Sequence, residues 1–218
     1  MTKTNTIDSI MGLAPVIPVL VIKDAAYARP IAEALVAGGL HALEVTLRTP
    51  VAIEVIREMA KVDGAVVGAG TVLSERDLES SLEVGAQFIV SPGLTDRLGT
   101  TAIASGIPFL PGIATAADIM RGLDMGLNRF KFFPAMAAGG IPALKALAAP
   151  FHHCRFCPTG GITQANAAEW LTIEQVKCVG GTWLVPPGRP DIATITANAR
   201  SAARLAILEP ATRLQSRA

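Results

Sequence analysis

The chain has 218 residues, half of them apolar and 17% charged, which is enough apolar material for one large core or two small ones. Lys and Arg number 19 against 18 for Asp and Glu, and this balance gives no electrostatic reason to expect nucleic acid or an anionic membrane as a partner. The first residues lack the apolar stretch of a signal peptide, and the longest apolar runs are about half of the roughly 20 residues that a membrane helix needs. We therefore expect a cytoplasmic protein.

Short apolar, β-branched runs alternate with helical segments along the chain. We predict strands at Val16–Ile22, Ala42–Leu47, Ala65–Val72, Phe88–Ser91, Pro108–Ile113, Arg129–Phe133, Arg155–Thr159 and Val176–Val179. Each strand is followed by a predicted helix, and these cover Ala25–Ala37, Pro50–Ala60, Glu75–Val84, Thr95–Ala104, Ala116–Met125, Pro142–Leu147, Thr163–Leu171 and Asp191–Ala206. Several helices have an N-cap candidate (a residue whose side chain can bond the first free N–H groups), for example Thr49, which precedes a proline.

Eight strand–helix units without a linker predict one domain, residues 1–218, built as an α/β (β/α)8 TIM barrel. We expect its core at about 14–206, a short N-terminal helix at Thr6–Met11 over the bottom of the barrel, and a frayed tail at 210–218. An open doubly wound sheet is the weaker alternative, because no Gly-x-Gly-x-x-Gly follows the first strand. In such barrels the active site lies at the carboxyl ends of the strands, which directs attention to the polar residues there.

The sixth predicted strand places Lys131 between phenylalanines. Strands of parallel sheets are normally apolar on both faces, and burial favours the neutral amine that adds to carbonyl groups. A lysine that extends its amine to the surface is the alternative.

The second predicted strand alternates Leu43, Val45 and Leu47 with polar side chains, which would face into the barrel. Of these polar residues, Glu44 is a candidate for proton transfer and Arg48 for binding a substrate carboxylate. A structural ion pair inside the barrel is the other interpretation.

The ends of three other strands carry further candidates. Small residues before Thr71 leave room for a ligand, although its hydroxyl could equally cap a helix. Gly-Gly pairs at 160–161 and 180–181 follow or end the last two strands, where barrels commonly bind phosphate.

Four residues of types that commonly bind metal ions lie close together in the sequence, namely His152, His153, Cys154 and Cys157. Cys154 and Cys157 are three apart at a strand, however, and would point to opposite faces. We therefore predict buried thiols and no metal site, and the third cysteine, Cys178, adds no disulfide pattern.

Seven motifs in this order resemble the 2-keto-3-deoxy-6-phosphogluconate aldolase family, which includes 4-hydroxy-2-oxoglutarate aldolases. They are EVTLRT from Glu44, GAGT from Gly68, VSPG from Val90, FLPG from Phe109, KFFP from Lys131, PTGG from Pro158 and VGGTW from Val179. The resemblance covers about Ile7 to Ala206.

The resemblance implies a homotrimeric class I aldolase (a lyase) of the Entner–Doudoroff pathway, without a cofactor. Its substrate would be a keto-acid sugar phosphate, cleaved to pyruvate and glyceraldehyde 3-phosphate. Lys131 would form the Schiff base and Glu44 would be the acid/base. The implied substrate-binding residues are Arg48, Thr71, Pro92, Phe133, Thr159, Gly160, Gly161, Gly181 and Thr182. Relatives carry serine where this chain has Thr182, which bears on the choice between phosphorylated and unphosphorylated substrates.

Three alternatives remain open at this point. The enzyme could prefer 4-hydroxy-2-oxoglutarate or the galactonate epimer of the phosphorylated substrate. The chain could instead be an inactive barrel that binds phosphometabolites. A sugar-phosphate isomerase with Glu44 as its base would leave Lys131 unexplained.

Overall fold

A computed structural model describes residues 6–205 of the chain. Its strands are β1 Val16–Leu20, β2 Ala42–Thr46, β3 Val66–Gly70, β4 Phe88–Val90, β5 Phe109–Leu110, β6 Gly112–Ile113, β7 Arg129–Phe132, β8 Arg155–Pro158 and β9 Val179–Gly181. Its α-helices are α1 Ile7–Met11, α2 Ala28–Ala37, α3 Ala52–Met59, α4 Glu75–Glu83, α5 Asp96–Ala104, α6 Ala116–Asp124, α7 Gly140–Ala148, α8 Ala167–Leu171 and α9 Ile192–Ala203. A 3-10 turn, Ala25–Tyr27, precedes α2. The predicted tail at 210–218 lies outside the described residues.

The strands pair in parallel and form a curled sheet. One part has the order β5-β4-β3-β2-β1-β9, and the other has the order β6-β7-β8. The first strand therefore lies beside the last. The predicted strand Pro108–Ile113 is divided into β5 and β6 at Pro111, which has no N–H for the ladder. Single parallel bridges, Phe156 to Val176 and Thr159 to Gly180, connect the β8 side to the β9 side.

Two apolar clusters flank the sheet. The larger cluster lies between the strands and the helices, and the smaller one lies inside the curl, where Ile10 and Met11 of α1 pack with Phe88 and Cys178. The predicted short N-terminal helix is therefore present, capped by Thr6, and it packs against the inside of the sheet. Asp8 of the same helix bonds to Arg129 and Lys177, which fixes the helix to the amino end of β7 and to the residues before β9.

Some predicted helix boundaries are confirmed and others are wrong. The predicted starts of α4 at Glu75 and of α6 at Ala116 are confirmed, with Ser74 and Thr115 as the capping residues. Thr49 does not cap α3, because its hydroxyl donates to the carbonyl of Ile22 at 2.7 Å and the helix begins later, at Ala52.

The segments around the last two strands also differ from the prediction. The chain at Thr163 forms a turn in which its N–H donates to the Asn166 side chain at 2.8 Å, so α8 starts four residues late. The last strand begins at Val179 instead of Val176, because Val176 forms only an isolated bridge with Phe156 and does not continue into a ladder. Consequently, the pair 180–181 lies within β9, whereas the predicted strand end at Val179 implied that the pair follows the strand.

Candidate active site

Lys131 and Glu44 form a buried ion pair inside the curled sheet. The Nζ atom of Lys131 lies 2.9 Å from Oε1 of Glu44, and the residues are 4% and 3% exposed. Because side chains alternate along a strand, Lys131 in β7 and Glu44 in β2 both project inward while Phe130 and Phe132 pack outward. Two charges held this far from water stabilise each other only if both remain in place. The pair therefore holds an amine and a carboxylate within proton-transfer distance.

The aromatic ring of Phe133 is the next neighbour of this pair. The Lys131 Nζ atom lies 5.5 Å from the centre of the Phe133 ring, within the range of a cation–π contact. Phe133 directly follows β7 and is half-buried. It therefore forms an apolar wall beside the amine at the carboxyl end of the strands.

Arg48 and Thr71 meet beyond the ends of β2 and β3. The Arg48 Nε–H donates to Thr71 Oγ1 at 3.2 Å, and the guanidinium is exposed. Thr71 has a backbone φ of 59°, a conformation that residues with a Cβ atom rarely adopt. Within residues 6–205, Nη1 and Nη2 of Arg48 form no hydrogen bond, so both groups can bind a ligand at the mouth of the site.

The turn that carries Pro92 is held in place by two contacts. The Ser91 hydroxyl donates to the carbonyl of Gly93 at 2.6 Å. A Cβ atom on Gly112 would lie 2.1 Å from the Pro92 carbonyl oxygen, so this turn packs directly on the backbone of β6. Ser91 and Gly112 thus position Pro92, a role that the sequence analysis missed because neither residue has reactive chemistry.

Thr159 follows β8 above a pair of thiols. Its hydroxyl donates to the Cys157 carbonyl at 3.3 Å and lies 3.8 Å from the Cys157 sulfur. Hydrogen bonding to Cys157, together with burial, holds the pKa of the Cys178 thiol well above its usual range. The Cys178 thiol beside Cys157 therefore stays neutral.

Gly160 and Gly161 form a turn at the end of β8 with φ values of 102° and 78°. The Gly160 carbonyl accepts from the N–H of Met136 at 3.0 Å. A Cβ atom on Gly161 would lie 2.6 Å from the Met136 side chain. Side chains are therefore excluded here on both steric and conformational grounds, and the exposed backbone of Gly161 can approach an anion.

Gly181 is the last residue of β9 and Thr182 follows it, and the two residues have different surroundings. A Cβ atom on Gly181 would lie 1.8 Å from the Trp183 ring, which explains the glycine by packing. Thr182 is exposed and lines a cavity of about 700 Å³ with the end of β1 and the segment 183–190. Lys131 and Glu44 are not among the residues that line this cavity.

The cysteines and histidines form no metal site within residues 6–205, where no group of three or more suitable ligands occurs. Cys154 packs in the outer cluster and Cys157 in the inner one, as expected for opposite faces of a strand. In the same part of the chain, none of the helices has the length and apolar character to cross a membrane.

Comparisons with known proteins agree with this arrangement. The family model for KDPG and KHG aldolase matches residues 7–198, so the chain belongs to the KDPG and KHG aldolase family. The 2-dehydro-3-deoxy-phosphogluconate aldolase of Zymomonas mobilis is 61% identical over 196 residues, which are 90% of this chain and 94% of that protein.

Solved structures give the same result. A 2-keto-3-deoxy-6-phospho-gluconate aldolase structure from Zymomonas mobilis superimposes with a TM-score of 0.91 at 60% identity, covering 92% of this chain and 98% of that one. The KDPG aldolase of Legionella pneumophila, with pyruvate captured at low pH as a covalent carbinolamine intermediate, has a TM-score of 0.82 at 45% identity, covering 93% and 97%.

Proposed function

We propose that this chain is a class I aldolase that cleaves 2-dehydro-3-deoxy-6-phosphogluconate to pyruvate and glyceraldehyde 3-phosphate. The observation that carries the proposal is the buried Lys131–Glu44 pair, with 2.9 Å between the amine and the carboxylate. An amine is the nucleophile that a ketone requires for Schiff-base formation, and a carboxylate in contact with it can take its proton. The carbinolamine described for the Legionella pneumophila aldolase supports the same chemistry here.

In the proposed mechanism, Glu44 accepts a proton from Lys131, and the neutral amine adds to the C2 ketone of the substrate. The carbinolamine loses water, with Glu44 returning the proton, and leaves an iminium. Glu44 then removes the proton of the C4 hydroxyl and the C3–C4 bond breaks, so that glyceraldehyde 3-phosphate leaves and the electrons of the bond move to the iminium to give an enamine. Protonation at C3 and addition of water release pyruvate and regenerate the amine. The iminium draws electrons as a metal ion does in a class II aldolase.

Two groups of residues around the pair would bind the two ends of the substrate. Arg48 would bind the carboxylate through its free guanidinium N–H groups, with Thr71 holding Nε. Thr159 would hydrogen-bond the pyruvate portion, while Pro92 and Phe133 enclose it. A further set would receive the phosphate, namely the backbone of Gly160, Gly161 and Gly181 and the hydroxyl of Thr182.

The architecture that we propose is a closed (β/α)8 barrel in a single domain that assembles as a homotrimer in the cytoplasm. Two observations support closure: the bridges between the β8 and β9 sides, and the single residue, Pro111, between β5 and β6. The trimer rests on family resemblance, and light scattering coupled to size-exclusion chromatography tests it.

Borohydride trapping tests the chemistry directly. Incubation with pyruvate and borohydride should add the mass of reduced pyruvate to the peptide that contains Lys131, and Lys131→Ala should not be labelled. Pyruvate release from the phosphogluconate substrate should persist in the presence of a chelator. Unlabelled parent protein, or full activity of Lys131→Ala, would contradict the proposal.

A second substrate deserves direct comparison because the matching family covers both KDPG and KHG aldolases. The turn at Gly160–Gly161 favours a substrate with a phosphate. Cleavage of 4-hydroxy-2-oxoglutarate, which has no phosphate, should therefore be slower than cleavage of the phosphogluconate, in kcat/KM. The opposite order would assign the other activity within the same chemistry. The galactonate epimer carries the same phosphate, so its rate is compared as a separate measurement of stereochemical preference.

A further inference from the structure

The inner face of β3 carries one side chain, that of Val66 at its start, and none at its other two positions, where neighbouring residues occupy the space. Val67 and Ala69 pack outward in the larger cluster, which leaves Gly68 and Gly70 facing inward. A Cβ atom on Gly68 would lie 2.5 Å from the Phe88 ring, and one on Gly70 would lie 2.3 Å from Oε1 of Glu44. The space beside Gly68 is therefore occupied by Phe88, and the space beside Gly70 by Glu44.

The contact at Gly70 involves most of the Glu44 side chain. A Cβ atom there would also lie 2.6 Å from Cγ and 2.8 Å from Cδ of Glu44, well inside the van der Waals separation of about 3.5–4.0 Å. Strand pairing places the Glu44 Cα atom opposite Gly68, so its side chain leans along the strand to lie over Gly70. No rotation of the carboxylate alone would relieve all three contacts.

We infer that Gly70 is a positioning residue: its missing side chain provides the surface on which Glu44 rests while it contacts Lys131. This inference depends on the proposed function, in which Glu44 transfers protons. The carboxylate is held from one side by the Gly70 backbone and from the other by the Lys131 amine, 2.9 Å away. A methyl group at position 70 would push Glu44 from this position without altering any reacting group.

The same arrangement recurs at Thr159. Its bridge partner in β9 is Gly180, and a Cβ atom there would lie 2.3 Å from Thr159 Oγ1 and 2.9 Å from its Cγ2. Two side chains of the site, on opposite parts of the sheet, thus each lie against an inward-facing glycine. This recurrence indicates that the space left by the missing side chains of Gly70 and Gly180 helps to determine the conformations of Glu44 and Thr159.

The test compares Gly70→Ala with Gly68→Ala as a matched control. Both variants add one methyl group to the inner face of β3 and both should lower Tm, but only Gly70→Ala should displace Glu44. We expect Gly70→Ala to lower kcat by about 10²-fold, as misplacement of about 1 Å can do, and to shift the pH profile of kcat. Gly68→Ala should keep the pH profile of the parent.

A rescue variant separates positioning from loss of structure. Aspartate is one methylene shorter than glutamate, so Glu44→Asp should cost less activity in the Gly70→Ala background than in the parent, a non-additive double-mutant cycle. If Gly70→Ala does not fold, Gly70→Ala/Glu44→Asp is compared with Glu44→Asp. Equal kcat values support the inference, and a further loss overturns it.

Other outcomes are equally decisive. An unchanged kcat and pH profile in Gly70→Ala, equal losses in both alanine variants without a pH shift, or additive effects in the cycle would overturn the inference. Pyruvate trapping of the parent enzyme with borohydride is measured first. Failure of that reaction would contradict the proposed function, whereas successful trapping with an unaltered Gly70→Ala would contradict the positioning role alone.

Discussion

Arg48 Nε–H donates to the hydroxyl of Thr71, whose backbone has a φ of 59°, so the residue that orients the arginine is itself in an unfavourable conformation. A residue with a Cβ atom pays about 1–2 kcal/mol in this left-handed region. The hydroxyl would account for a threonine at a position where glycine fits the backbone better.

The first prediction separates these two contributions at position 71. Thr71→Ala removes the hydroxyl and keeps the strain, whereas Thr71→Gly removes both. We expect the free energy of unfolding, measured with urea, to be higher for Thr71→Gly than for Thr71→Ala by about 0.5 kcal/mol or more. The reason is that the relieved backbone strain exceeds the entropy cost of glycine. In both variants kcat/KM should fall roughly fivefold, because losing one hydrogen bond to the arginine costs about 1 kcal/mol. Equal stability of the two variants would contradict the role of strain.

Removing the charge of Glu44 is expected to abolish most of the activity. Glu44→Gln keeps the size of the side chain but cannot accept the proton, so kcat should fall by about 10²–10⁴-fold. The Lys131 ammonium would also lose its ionised partner in a buried site, which should lower Tm. Glu79→Gln, an exposed residue of α4, is the control for loss of one negative charge. Activity of Glu44→Gln near that of Glu79→Gln would rule out proton transfer by Glu44.

Position 182 should determine how strongly the phosphate is bound. Thr182→Val preserves the shape and removes the hydroxyl, so KM for the phosphorylated substrate should rise by roughly fivefold to tenfold, a loss of about 1–1.5 kcal/mol. KM for unphosphorylated 4-hydroxy-2-oxoglutarate should not change. Thr182→Ser keeps the hydroxyl and should behave like the parent. An equal rise in KM for both substrates would place Thr182 outside the phosphate site.

The contact of α1 with the sheet should depend on pH in a defined direction. Hydrogen bonds from Lys177 first, and from Arg129, hold the pKa of Asp8 below its ordinary value. Because the folded pKa is the lower one, this stabilisation is complete above the unfolded value of about 3.9 and disappears as the pH falls through the folded value. Asp8→Asn should therefore be less stable than the parent at pH 7.

The magnitude should be modest, since Asp8 remains accessible to solvent and water weakens the interaction. Urea unfolding at neutral pH and in acid measures the difference between Asp8→Asn and the parent. The two proteins should converge in acid, where both side chains are uncharged. A difference that stays constant with pH would show that the carboxylate charge contributes nothing.

Residue alternation was sufficient to place the central pair but not the surrounding turns. Lys131 and Glu44 are each polar residues among apolar neighbours on a strand, and a period of two decides which face they share. Thr49 is a residue type that commonly caps helices, but its hydroxyl donates instead to the carbonyl of Ile22, just after β1. A contact between residues distant in the sequence therefore decided the local structure there, and no local pattern could reveal it.

Glycine was the least informative residue in the sequence. The pairs at 160–161 and 180–181 look alike, yet the first is a turn with positive φ and the second lies in β9 beneath Trp183 and Thr159. The role of Gly70 was invisible for the same reason, because it depends on the side chain that leans over it. Alternation of glycines on the inner face of β3 is the signal that could have raised the question.

The attachment of α1 also sets the order in which the protein can be completed during synthesis. Asp8 bonds to Arg129 and Lys177, which follow it by 121 and 169 residues. A chain emerges from the ribosome at roughly 5–20 residues per second, so this first helix waits many seconds for its partners. Helix α1 is therefore made long before it can dock, and its apolar residues Ile10 and Met11 stay available to chaperones until β9 has been made.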